Sequence, residues 1–313
     1  MRKSIIAVVM SFLILSTAAC TDNDGTISTS VPQPPEEQAI VLGDISDDPA
    51  EVIDGTQPLA IYLADQLGKF GITTGRVRIA KSIDEMAELM KNGEVDLYFD
   101  STYPATIVSD TSGANIILRR WRFGVDEYHS VIFASKESGI ESLDDLNGQM
   151  LAFDAPYSTS GYVLPAVHLT ENGLNLVGKP GYGEPVSEDQ VGFVFSYDDE
   201  NTLQWVLSDL VQAGATDDYN FDIAFPQEAT EKLVVLVRTG NIPRQVVVAR
   251  ADLDPELLEA LIQILLTIDQ DESAEAVLKA FQTTKFDEFP EGIELATQRM
   301  REMMQTVQEI PLP

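Results

Sequence analysis

Between residues 40 and 99 the chain alternates apolar, β-branched runs with stretches of helical spacing, and this alternation restricts the fold more than any other feature. Ile40 to Ile45 reads as a strand, followed by a loop at Ser46-Asp47-Asp48-Pro49. Leu59, Tyr62, Leu63, Leu67 and Phe70 then recur at three- and four-residue intervals before Gly71, with Thr56 as a cap and Pro58 in the first turn of the predicted helix. Arg76 to Ala80 is the second strand. Ser82-Ile83-Asp84-Glu85 has the form of a capping box, and the helix it opens turns Ile83, Met86, Leu89 and Met90 inward until Asn92-Gly93. Val95 to Phe99 is the third strand. Strand, helix, strand, helix, strand predicts a parallel sheet with right-handed crossovers, whose ligands sit beyond the carboxyl ends of the strands. The loops at 46–49 and 100–104 should therefore share one rim.

Downstream the same logic repeats. Ile116 to Arg120 and Tyr128 to Ala134 are further strands, and the second is expected to carry the chain into another lobe. A strand over 150–153 leads into Asp154-Ala155-Pro156-Tyr157-Ser158-Thr159-Ser160-Gly161-Tyr162, after which helical spacing runs to Asn172-Gly173. Val191 to Ser196 is a strand, Tyr197 to Asn201 its loop and Thr202 to Leu210 a helix. Strands at 233–237 and 245–249 return the chain to the first lobe. Asp254 with Pro255 opens a helix whose leucines are core positions, and helices near 273–282 and 291–306 finish the chain. The expected organisation is α/β with two lobes, 40–130 plus 245–313 and 131–244, each a mainly parallel sheet flanked by helices. The hinges are expected near 128–134 and 237–246.

The stretch from Asp154 to Tyr162 joins a buried strand to a helix start. Unpaired N–H groups and the positive dipole end there favour an anion, and small hydroxyl residues with a glycine let the backbone approach it. Ser158-Thr159-Ser160-Gly161 has that composition. A plain N-cap uses the same residues, so both readings stand on this stretch taken alone.

Charge and targeting narrow the setting. Met1-Arg2-Lys3, an apolar segment from Ile5 to Leu15, and Ser16-Thr17-Ala18-Ala19-Cys20 follow the basic, apolar, small-residue order of an export signal over 1–19. Cys20, the only cysteine, resembles the lipid-modified cysteine of bacterial lipoproteins, which implies a membrane anchor through that residue. Polar, proline-bearing residues to position 39 read as a tether. With Arg2 and Lys3 removed, 18 basic against 51 acidic side chains leave a net charge of −33, which disfavours nucleic acid and anionic lipid headgroups as partners. His129 and His168 are the only histidines and supply no zinc set; Asp198-Asp199-Glu200 lacks the spacing of a calcium loop; no phosphate loop or dinucleotide fingerprint is present. No cofactor is expected. No nucleophile and base pair stands out, so an enzyme is not expected either. Arg119-Arg120-Trp121-Arg122 is the densest basic cluster, able either to pair with surface acids or to aim one guanidinium into the cleft.

Four motifs, Pro58-Leu59-Ala60-Ile61-Tyr62-Leu63-Ala64, Asn92-Gly93-Glu94-Val95-Asp96-Leu97, the segment Ser138 to Leu146, and Ser158 to Tyr162, fall in the order seen in the phosphate, phosphite and phosphonate-binding family of ABC importers. The chain from about residue 40 to 250 resembles that family, whose members have the two-lobed type II periplasmic-binding-protein fold. The resemblance implies that Ser158, Thr159, Ser160 and the Gly161 amide hold a phosphorus-bearing headgroup. It further implies that Tyr103, with Ser101 in the same loop, joins them, and that Asp199 and Glu200 meet the ligand's protonated oxygens or amino group. Where the family carries an aspartate before Ala-Gly-Ala this chain has Gln212, which is expected to face the ligand and to alter its class. The implied protein is a monomeric, lipid-anchored binder of a small oxyanion that serves an ABC permease. A receptor serving a sensor kinase is the alternative.

Overall fold

The computed structural model describes residues 38–46 and 48–313; the expected export signal, the lipidation at Cys20 and all but the last two residues of the expected tether lie outside them. The first sheet is built from β1 (Gln38–Ile45), β2 (Ile72–Ala80), β3 (Leu97–Ser101), β4 (Asn115–Arg122) and two strands from late in the chain. Its helices are α1 (Pro49–Gln66), α2 (Ile83–Lys91) and α3 (Thr102–Ser112). The chain crosses through β5 (Glu127–Tyr128) into a second sheet of β6 (Ser130–Ser135), β7 (Met150–Phe153), β8 (Leu176–Gly178), β9 (Val191–Phe195), β10 (Ala213–Asp217) and β11 (Leu233–Arg238). The helices α4 (Leu164–Glu171), α5 (Asp199–Leu207) and α6 (Gln227–Thr230) belong to this part of the chain. It returns through β12 (Ile242–Pro243) to β13 (Gln245–Ala249), α7 (Pro255–Thr267), α8 (Glu275–Ala280), β14 (Thr283–Asp287) and α9 (Ile293–Gln308).

Strand order is β14-β4-β13-β3-β1-β2 in the first sheet and β11-β6-β10-β7-β9-β8 in the second. β1 runs parallel to β2 and β3, and β7 parallel to β9 and β10, as the alternating pattern requires. The strands that carry a crossing, β6 and β13, enter from the far lobe and so pair antiparallel with β10 and β3. β5 pairs with β12, Ile242 opposite Tyr128, making a two-stranded ribbon at the crossing. The crossing is thus narrower than the hinge segments expected from sequence, because β6, β11 and β13 are already committed to sheets.

Two local expectations change. α1 begins at Pro49, not near Thr56: Asp48 caps it, accepting from Ala50 N at 2.9 Å and Glu51 N at 3.3 Å. Pro58 consequently lies inside the helix. Thr56, instead of capping, donates to Asp44 Oδ2 at 2.9 Å. α1 lies so close on β2 that a Cβ at Gly75 would stand 2.0 Å from the Ala60 carbonyl oxygen. The second change concerns residues 300–313, expected in the first lobe. Met300, Met303, Val307 and Ile310 pack in the apolar cluster of Leu151, Phe153, Leu164 and Phe193, and the Pro311 carbonyl accepts from Gly178 N at 2.8 Å. Ala296 packs with the first lobe, and Arg301 pairs with Asp110 there at 2.7 Å, so α9 straps both lobes. Its apolar face is continuous in sequence, and nothing in that spacing marks the point where the surface it covers changes lobe.

Candidate functional site

At the carboxyl end of β7 the chain turns back on itself. Asp154 N donates to the Gly161 carbonyl at 3.1 Å, and Ser158 Oγ accepts from Gly161 N at 3.0 Å. Residues 159–163 form one π-helical turn before α4 rather than the plain helix start expected, with Val163 N donating to the Ser158 carbonyl at 3.0 Å. Only glycine fits position 161, where a Cβ would lie 2.5 Å from Asp154 Cβ and 2.8 Å from Ser158 Oγ. Ser158 and the Gly161 amide are therefore engaged with each other, the capping use of these residues. Thr159 does something else. Its hydroxyl donates to Ser101 Oγ at 3.0 Å and accepts from Tyr103 N at 3.1 Å, spanning the gap to the first lobe. Ser160 is buried near the Tyr128 phenol, which burial raises and the Arg244 guanidinium, with Thr159 and Ser160 after it, acts to lower.

Ser158, Thr159, Ser160, Gly161, Ser101 and Tyr103 are thus brought together. Ser101 ends β3 and precedes α3, whose Thr102 hydroxyl donates to the Pro243 carbonyl in the crossing. Burial raises the Tyr103 phenol. Ser101, Pro104, Asp100, Ser46, Asp154 and Ser158 border a cavity of about 610 Å³ between the two rims.

The acidic residues divide. Asp199 accepts from Thr216 Oγ1 at 2.7 Å and Asn220 Nδ2 at 2.8 Å. Burial pushes its carboxyl up to about 7; the bond from Thr216 opposes this, and the fields of Asp154, Asp217 and Asp198 add to it. Asp198 caps α5 through Asn201 N at 2.9 Å. Glu200 is exposed on α5 and joins none of these contacts. Gln212 is a correction. β10 runs parallel to β7 with Ala213 opposite Leu151, so Gln212 stands beside the start of β7, where its Oε1 accepts from Met150 N at 3.2 Å. The loop at 154–162 follows the other end of that strand, roughly 10 Å away at about 3.3 Å per residue. The residue at the end of β10 nearer the serine loop is Asp217, which sequence reasoning missed; it accepts from Asn220 N at 2.7 Å and lies 3.6 Å from Arg244. The signal was available: the last residue of a strand parallel to β7 must share its rim, whereas Gln212 precedes the strand.

The basic cluster also divides, by strand alternation. Arg119 donates to Asp287 through Nε at 3.0 Å and Nη2 at 2.7 Å, the surface-acid pairing. Arg120 and Arg122 face the other way and border a second cavity. Arg244, in the crossing, was not anticipated. Its guanidinium is 4.9 Å from the Tyr128 ring, 5.6 Å from Phe123 and 5.7 Å from Tyr219, and its Nε and Nη1 are buried without partners. Among the described residues no group of His, Cys, Asp and Glu has the arrangement to hold a metal ion. No described helix is long and apolar enough to cross a membrane.

Comparison with known proteins now bears on this cleft. Residues 45–290 match the family described as "ABC transporter, phosphonate, periplasmic substrate-binding protein". Among solved structures, XAC2383 from Xanthomonas citri, bound to chloride ion, is 27% identical with a TM-score of 0.81, over 86% of this chain and 98% of that one. The same protein bound to ATP gives 26% identity and a TM-score of 0.80 over the same shares. PhnD1 from Prochlorococcus marinus (MIT 9301), in complex with methylphosphonate, shares the fold at 18% identity and a TM-score of 0.64, over 87% of this chain and 98% of that one.

Proposed function

The chain belongs to the family of periplasmic substrate-binding proteins of phosphonate ABC transporters, and from that premise we propose that its cleft captures a small phosphorus oxyanion, a phosphonate, phosphite or phosphate, and delivers it to an importer. A solute-binding role and an extracytoplasmic place come with the family. The observation that carries the ligand class is the bridge from Thr159 to Ser101 and Tyr103, which closes the serine loop against the first-lobe rim and puts hydroxyl and N–H donors around one point. An oxyanion there accepts from Ser158, Ser160 and the loop amides by displacing their internal partners, at a helix start whose dipole favours negative charge. Asp199, Asp217 and Asp154, all raised by burial and all on the second-lobe side with the serine loop, offer acceptors to the ligand's own O–H or N–H groups. The protein binds and releases; it catalyses nothing.

A second reading has one observation in its favour, the XAC2383 complex with ATP: the ligand is a phosphate ester whose phosphoryl end enters the same loop. A thermal-shift series with methylphosphonate, phosphite, phosphate and ATP separates the two, since a ligand of the folded state alone raises the melting temperature. Ser158→Ala with Ser160→Ala should abolish every shift; a doubly substituted protein that binds as wild type would move the site elsewhere. The anchor is part of the proposal: lipid labelling of the exported protein should be lost in Cys20→Ala.

A further inference from the structure

Past the serine loop the cleft continues into a second cavity of about 600 Å³, which the headgroup contacts do not occupy. Ile45, Ser46 and Asp100 border both cavities, so the two adjoin across Asp100. Arg120, Arg122 and Gln245 wall the second one, Gln245 standing opposite Arg120 in the β13–β4 register.

Several features set these groups apart from a structural charge cluster. Elsewhere in the chain buried guanidiniums close to contact with a carboxylate, Arg119 on Asp287 at 2.7 Å and Arg250 on Asp96 at 2.7 Å. Among the described residues, Arg120 and Arg122 have no carboxylate oxygen within 4.0 Å. Asp44 and Asp100 border the same cavity but are engaged within their own lobe, Asp44 by Thr56 and Asp100 by the Tyr98 phenol and Ser101 N. Arg122 Nε and Gln245 Oε1 are buried without hydrogen-bond partners, although buried polar groups nearly always have them. Burial lowers the Arg122 pKa and the field of Arg244 lowers it further, while the fields of Asp100, Asp44 and Asp217 act against them. Arg122 Nη2 is held by Gln282 Oε1 at 2.9 Å, and Gln282 and Phe123 both take left-handed backbone conformations, φ 52° and 54°, which non-glycine residues adopt at a cost.

We propose that this cavity is a second oxyanion subsite, and that the ligand carries, beyond the group in the serine loop, a second anionic group bound by Arg122 and Arg120. The carboxylate of a phosphonocarboxylate and the second phosphoryl of a diphosphate present the same chemistry to a guanidinium. The proposal rests on the serine loop being the headgroup site. Titration calorimetry of the wild-type protein, Arg122→Gln and Gln245→Glu with methylphosphonate, phosphonoacetate and pyrophosphate tests it. Wild type should bind phosphonoacetate or pyrophosphate at least about tenfold tighter than methylphosphonate, the effect of one charge-assisted contact, and the tighter of the two identifies the second group. Arg122→Gln should erase that preference while leaving methylphosphonate within about twofold. Gln245→Glu sets a carboxylate opposite Arg120 in the wall of the same cavity and should erase it too, which covers a failure of the first variant to fold. A wild type that binds methylphosphonate as tightly as phosphonoacetate and pyrophosphate, or variants that weaken all probes equally, would overturn the subsite and leave the headgroup site intact. Binding of no probe by wild type would overturn both.

Discussion

On the second-lobe wall of the cleft, Ser158, Thr159 and Gly161 make their hydrogen bonds within the loop or to the facing rim, whereas on the first-lobe wall Arg122 and Gln245 keep buried polar atoms without partners. The first arrangement holds neutral donors in a fixed geometry through internal partners. The second holds charge in reserve. A wall of the first kind depends on backbone shape, and one of the second kind on which side chains stay unpaired.

Gly161→Ala attacks the shape-dependent wall most directly. Its Cβ meets Asp154 and Ser158, so the loop must open. Anion affinity should fall roughly a hundredfold, equivalent to about 2.7 kcal/mol, and stability by about 2 kcal/mol, within the usual cost of overpacking. A variant with wild-type affinity in calorimetry would show that loop geometry is irrelevant.

Asp287→Ala tests the other wall's neighbour. It removes the bidentate partner of Arg119, a residue 4% exposed, while Asp126 and Glu127 remain nearby. Chemical denaturation should show a loss of about 2 kcal/mol, below the usual cost of breaking a fully buried pair because Asp287 is partly exposed. Ligand affinity should not change, which separates Arg119 from Arg120 and Arg122 on the same strand.

Asp199 gives a pH dependence. Its carboxyl stands at about 7 in the folded protein against an ordinary 3.8, so the folded chain holds a proton there that the unfolded chain releases. Its contribution to stability therefore falls as pH rises between about 4 and 7, and the penalty is complete above that window. Asp199→Asn should leave stability near pH 4 unchanged and raise it by about 1–2 kcal/mol at pH 8. Equal effects at both pH values in denaturant titrations would contradict the assignment.

The smallest effect belongs to Gln212. Gln212→Ala should cost about 1 kcal/mol through the lost bond to Met150 N and leave the ligand ranking untouched. A changed ranking would return this residue to the site.

Much of this was legible in advance. The alternation of elements to Phe99 specified the parallel half of the first sheet, and the capping residues of α2 and α7 behave as read: Ser82 accepts from Glu85 N and Asp254 from Glu256 N. The serine loop and Tyr103 were identifiable because local composition and a rim shared by all strands place them together. Gln212 and Glu200 lie away from these contacts for a different reason. Gln212 precedes β10, five residues before Asp217 at its end, and Glu200 follows Asp199 on α5, so which residue turns toward the serine loop depends on where a strand ends or how a helix is rotated. Arg244 and the lodging of α9 on the second lobe had no local signal, since each acts on segments far away in sequence.

The sequence by itself determined the two alternating lobes, the position of the serine loop and the acidic, cysteine-poor character of the chain, because periodicity, caps and composition act over a few residues. Only the tertiary structure decided that Thr159 bridges the lobes, that Arg119 is paired with a carboxylate while Arg120 and Arg122 are not, and that Asp217 rather than Gln212 stands at the end of β10 on the side of the serine loop. Those outcomes turn on strand register and on which carboxylate approaches a given guanidinium within hydrogen-bonding distance, and both are set by packing between elements that the local pattern of residues does not encode.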